Sequence, residues 1–168
     1  MTPQELSQRR VKELRAKAYY DMIALNEGYK PKVYRDSEGN RTIGIGFNLE
    51  EKTNRKLLKE QGIDINELFK GRELSDKEIK TLYNHSLSQA YTDARKFDPK
   101  FDKRPEGVKM ALTDMSFNLG LTKLNKFEKM QEALQKDDYR TAAAEAQDSD
   151  WFKQVKSRGP RTVSLFNK

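Results

Sequence analysis

At 168 residues the chain suits one domain of two lobes, and its 35% hydrophobic and 35% charged content still includes seven Tyr, eight Phe and one Trp, which is enough to build a core. The absence of cysteine excludes disulfides and thiolate metal sites. A net charge of +7 biases the protein toward polyanions such as nucleic acid, acidic membranes or an anionic wall, while no apolar run has the length of a membrane span and residues 1–17 lack the apolar stretch of a secretory signal.

In chain order, Pro3 suits a first helical turn, and Val11, Leu14, Ala18, Met22 and Leu25 recur at three- and four-residue steps, so a helix is expected from about residue 4 to Glu27. Gly28 ends it and Pro31 follows. Val33 and Tyr34, then a SEGN turn, then Thr42, Ile43 and Ile45, predict a β-hairpin. It is the one convincing strand pair. Helical patterns follow in EEKTNRKLLKEQG and INELFKG, and then in a long segment opened by Ser75 and Glu78 at the spacing of a capping box. After FDPKFDKRPEG come several short helices broken by Gly, Asp and Ser.

Without metal-ligand clusters or a thiol, hydrolysis would rest on paired carboxylates in unlike surroundings. Glu27 ends a mainly apolar helix, where the negative end of the helix dipole and partial burial disfavour its ionised form and suit a general acid. Asp36 lies among Arg35, Ser37 and Asn40, a polar setting that keeps a carboxylate charged. Thr42 lies across the hairpin, where its hydroxyl can share a water with Asp36. Gly44 and Gly46 are expected to leave backbone uncovered for a bulky polymer. Taken singly, each has an ordinary explanation: a solvated helix-end Glu, a turn-forming Asp, a strand Thr. Their order and spacing carry the stronger reading.

NEG, YRDSEGN and TIGIG together resemble the catalytic signature of the phage lysozyme family, glycoside hydrolase family 24. ALTDMSFNLG, KFEKMQEAL and DWFKQVKSRGPR extend the resemblance from about residue 18 to the end. It implies an α+β, mainly helical, lysozyme-like two-lobed fold: a small β-containing lobe at 28–74, a connecting helix at 75–97, and a helical lobe from 1–27 and 98–168. It further implies a muramidase that cuts between N-acetylmuramic acid and N-acetylglucosamine in peptidoglycan, for phage-driven lysis or penetration of the wall. Glu27 would be the general acid, and Asp36 and Thr42 would position water. Gly46, Met115, Phe117 and Asn118 would contact substrate, although Met115 and Phe117 suit a core equally well. Arg158 would support the glutamate.

The enzyme is expected to be a monomer without cofactor, metal, nucleic-acid partner or stable membrane insertion. It would be made in the host cytoplasm and reach the periplasmic wall through a membrane lesion or from a virion. Two alternatives stay open: a lytic transglycosylase, which Asp36 and Thr42 argue against, and an inactive peptidoglycan-binding virion domain. Phe47 stands where the family often has histidine, which points to apolar packing there. The N-terminal segment, about 1–15, is extra to compact members; it lengthens the helix or docks the enzyme. His85 is the only histidine and reads as a surface or packing residue, and Trp151 as a core anchor.

Overall fold

The computed structural model describes all 168 residues. The protein is mainly helical, with one small antiparallel sheet. It divides into two compact units, Met1–Tyr83 and Asn84–Lys168. The sequence reading groups residues 1–27 with the later helices; by packing they fall in the first unit.

In the first unit, helix α1 spans Pro3–Glu27. Thr2 caps it, and Thr2 and Glu5 exchange backbone-to-side-chain hydrogen bonds of 2.7 and 3.1 Å, satisfying two amides that a helix start leaves without partners. Ile23 is its one fully enclosed residue. Gly28, at φ 79°, stops the helix, and its amide donates to the Ala24 carbonyl at 2.8 Å.

Strands β1 (Lys30–Arg35), β2 (Arg41–Gly44) and β3 (Phe47–Asn48) then form a meander in the order β1-β2-β3. Tyr34 pairs with Thr42, and Ile43 pairs with Phe47. The third strand is absent from the sequence expectation because two residues are too few to show alternation. Ile45 leaves β2 for the tight turn that creates it. Phe47 is 2% exposed, as the apolar reading of that position expects.

Helices α2 (Lys52–Glu60) and α3 (Ile65–Phe69) and the first part of α4 (Asp76–Phe97) complete the unit. The expected capping box opens α4: the Ser75 amide donates to Glu78 at 2.9 Å, and the Glu78 amide to Ser75 at 3.1 Å. Ile43, Leu49, Leu58, Leu68, Ile79 and Tyr83 are among its buried apolar residues. The Tyr83 ring meets Tyr20 of α1 edge-on at 4.7 Å.

The second unit holds the rest of α4 and helices α5 (Glu106–Leu124), α6 (Glu128–Gln135), α7 (Tyr139–Gln147), α8 (Asp150–Gln154) and α9 (Arg158–Ser164). Phe97, Leu112, Met115, Met130, Leu134 and Trp151 lie in its core. Two buried ionic clusters fix its geometry. Arg104 gives Nε and Nη2 to the Asp98 carboxylate at 2.7 and 3.0 Å and reaches the Leu134 carbonyl and Asp137. The other joins Asp114 to Arg158.

Candidate active site

Glu27 is the last residue of α1 and half-buried. Because Gly28 breaks the helix at once, the carboxylate projects where the chain turns into the sheet. Its contact there is Gly46, in the turn between β2 and β3: a Cβ built on Gly46 would lie 2.6 Å from Glu27 Oε2 and 3.0 Å from Cδ. Gly46 also has φ +62°, a conformation that side chains rarely adopt. A glycine is thus required twice, for its backbone and for the space the carboxylate occupies.

Gly44 departs from expectation. It is buried, and a Cβ there would meet Ile79 at 3.5 Å, so its backbone faces packed side chains and offers no open surface to a polymer. Of the two strand glycines, only Gly46 touches the candidate site.

Asp36 leaves the end of β1 and organises the turn that follows. Its Oδ1 accepts from the amides of Glu38 at 2.9 Å and Asn40 at 2.8 Å, while its own amide donates to the Asn40 carbonyl at 2.9 Å. Oδ2 has one long contact, 3.4 Å from Asn40 Nδ2. One oxygen is committed to the turn, and the other keeps lone pairs for a further donor.

Thr42 is 2% exposed on β2, and its hydroxyl donates to the Asn40 carbonyl at 3.0 Å. With its proton spent there, the Thr42 oxygen can only accept from a water. Asn40 therefore holds both residues, through its carbonyl and its amide.

Tyr34 received no role in the sequence reading. It stands opposite Thr42 in the strand register, with the Lys30 ammonium 4.2 Å above its ring. Burial first, then the charges of Glu27 and Asp36, push its phenol up to about 12. It therefore feels both carboxylates and stays protonated through the neutral range. Its place in the quoted YRD string, two residues before Asp36, was the available signal.

In the second unit, Met115 is fully enclosed in the core, which fits the core alternative and leaves it no surface for a ligand. Phe117 is half-buried. Asn118 is exposed, and its Oδ1 accepts from Trp151 Nε1 at 3.0 Å. Trp151 itself is 4% exposed and meets Phe127 edge-on, in keeping with a core anchor. Arg158 is 5% exposed and binds Asp114 through Nε at 3.1 Å and Nη2 at 2.7 Å, while Thr162 donates to the same carboxylate at 2.6 Å. Sequence reasoning missed Asp114, because an acid inside an apolar helix gives no sign of a partner 44 residues on.

His85 is exposed, and no group of three or more His, Cys, Asp or Glu residues is placed to hold a metal ion. No helix is long and apolar enough to cross a membrane.

The sequence pattern of the phage lysozyme family matches residues 24–167. The chain is 29% identical over 156 residues to a protein described as probable T4-type lysozyme 2 of Dictyostelium discoideum, covering 87% of this chain and 91% of that one. It is 28% identical over 163 residues to probable T4-type lysozyme 1 of the same organism. It is also 29% identical over 159 residues to the pre-baseplate central spike protein Gp5 of Enterobacteria phage T4, of which the match covers 27%.

Proposed function

Because this chain belongs to the phage lysozyme family and is thus a lysozyme-type glycoside hydrolase, we propose that it is a muramidase. It would hydrolyse the β-1,4 bond between N-acetylmuramic acid and N-acetylglucosamine in peptidoglycan. The observation that carries this reading is the seating of Glu27 on Gly46, which brings a helix-end carboxylate to the same small sheet that bears Asp36 and Thr42.

In this mechanism a water donates one hydrogen to Asp36 Oδ2 and the other to the Thr42 oxygen, leaving a lone pair aimed at the anomeric carbon. Glu27, protonated, gives its proton to the departing glycosidic oxygen as the carbon–oxygen bond breaks. The water oxygen bonds to the anomeric carbon, Asp36 takes the surplus proton, and the product carries a new reducing end. Tyr34 keeps a neutral phenol beside both carboxylates, adding no charge to the site.

The decisive experiment is mass spectrometry of purified peptidoglycan digested in ¹⁸O water. Reducing muramic ends bearing one ¹⁸O support hydrolysis. Anhydro-muramic ends would indicate a lytic transglycosylase, and sedimentation with the wall without sugar release would indicate a binding domain. Glu27→Gln should lower the rate by about 10²–10⁴-fold while leaving the circular dichroism spectrum unchanged.

The likeness to a phage spike protein supports delivery from a virion as a setting for this activity, alongside release of progeny at lysis. Detection of the protein in purified particles by peptide mass spectrometry distinguishes the two settings.

A further inference from the structure

The periodic apolar residues of α1 are expected to face a core, yet most face solvent. Val11, Leu14 and Leu25 are 43%, 59% and 67% exposed, and Ala18 is exposed too. At 3.6 residues per turn these four fall within about 60° of arc, on the side of the helix away from Ile23. Leu6, also exposed, lies off this line. The helix is thus apolar on two opposed faces, one covered and one bare.

Residues 3–17 are exposed throughout, so little burial holds this part of the helix. Local devices hold it instead: the Thr2–Glu5 capping box and the i,i+4 pairs Arg9–Glu13 and Lys17–Asp21.

Spacing and charge indicate what would cover the bare face. Steps of three and four from Val11 to Leu14 to Ala18, with Leu25 one heptad further, follow the narrow seam of a coiled coil, with Val11, Ala18 and Leu25 at a, Leu14 at d, and the second d position taken by Asp21, whose carboxylate Lys17 holds. A helix lying in a bilayer presents a broader apolar face. Of the positions bordering the seam, Arg10, Arg15 and Lys17 in its N-terminal half are cationic, Lys17 being paired with Asp21, while Gln8 is neutral and Met22 and Ala24 toward the C-terminal end are apolar. A second copy packed in parallel would set Arg10 against Arg15, and one packed antiparallel would set Arg10 against Lys17. Both arrangements are repulsive.

We propose that the bare face of α1 is a docking seam for an amphipathic helix of another protein, with apolar a and d positions and Glu or Asp at e and g. The seam would tether the enzyme to a carrier or scaffold. None of its residues belongs to the candidate site, so the proposal stands or falls separately from the hydrolytic reading.

The test uses the full chain and two synthetic three-heptad peptides with Ile at a and Leu at d, one with Glu and the other with Lys at e and g. Fluorescence anisotropy should show binding of the Glu peptide at least about tenfold tighter than its twin. Hydrogen exchange should show protection concentrated between residues 8 and 25. Leu14→Glu should weaken binding by about tenfold or more, Leu6→Glu should not, and the combined Arg10→Glu, Arg15→Glu and Lys17→Glu chain should prefer the Lys peptide. Circular dichroism checks that each variant keeps its helices, and the reversed preference keeps the test valid if Leu14→Glu unfolds. Equal affinity for both peptides, or for neither, overturns the proposal. So does self-association through the seam in sedimentation, or binding to phosphatidylglycerol vesicles that Leu14→Glu abolishes while neither peptide binds.

Discussion

Gly46 concentrates two demands in one residue, and a single methyl tests both. In Gly46→Ala the new Cβ would overlap the Glu27 carboxylate, which must move, and the left-handed backbone would be strained by about 1–2 kcal/mol. Turnover should fall by about tenfold or more with KM little changed, accompanied by a lower melting temperature. Thr42→Val tests the other half of the site. It keeps the shape but loses the oxygen that would accept from water, so kcat should drop, whereas Thr42→Ser should keep much of it. Glu27, Asp36 and Thr42 could be singled out in the sequence because their types and spacing suit the proposed chemistry. Gly44 was misread, since nothing in TIGIG tells which glycine will lie beneath Ile79. Tyr34 was overlooked because its importance comes from what surrounds it.

Among the elements, the sheet ties stability to pH through Tyr34. Its phenol is raised to about 12 in the fold against 10.0 for an ordinary tyrosine. The folded state therefore holds the proton that the unfolded chain releases, so this contribution is complete below pH 10 and is lost as pH rises toward 12. Tyr29, raised to about 12 first by its hydrogen bond to Asp76, acts in the same direction. Tyr34→Phe should reduce the alkaline fall in stability, read as urea midpoints between pH 9 and 12, and leave the part due to Tyr29. The helices and the β1–β2 hairpin follow from periodicity, capping and turn residues. The two-residue β3 does not, being created by the turn geometry at Ile45 and Gly46.

For the molecule as a whole, the second unit depends on buried charge as well as on its apolar core. Asp98 and Arg104 are each 2% exposed at the side chain and doubly bonded, and the bond to Asp98 leads the effects that raise the guanidinium above its usual range. Asp98→Ala would leave the buried guanidinium only the exposed Asp137 as a counter-charge and should cost on the order of 3 kcal/mol in urea unfolding. Adding Arg104→Met should cost less than the sum of the two single changes. These long-range partnerships are the least legible part of the sequence, because Asp98 and Asp114 look like any other acids until the chain folds back on them. The family resemblance supplied the fold class, whereas the unequal burial of Met115, Phe117 and Asn118 could not be read from the sequence.

The two units also differ in when they can form during synthesis. Every strand pairing lies between residues 30 and 48, and Glu27 adjoins them, so the local geometry of the carboxylates can assemble soon after this stretch leaves the ribosome. The clamp between Asp114 and Arg158 cannot close until Arg158 is made, an interval on the order of ten seconds after the sheet emerges. A chain arrested in between would carry a formed hairpin on an unfinished second unit.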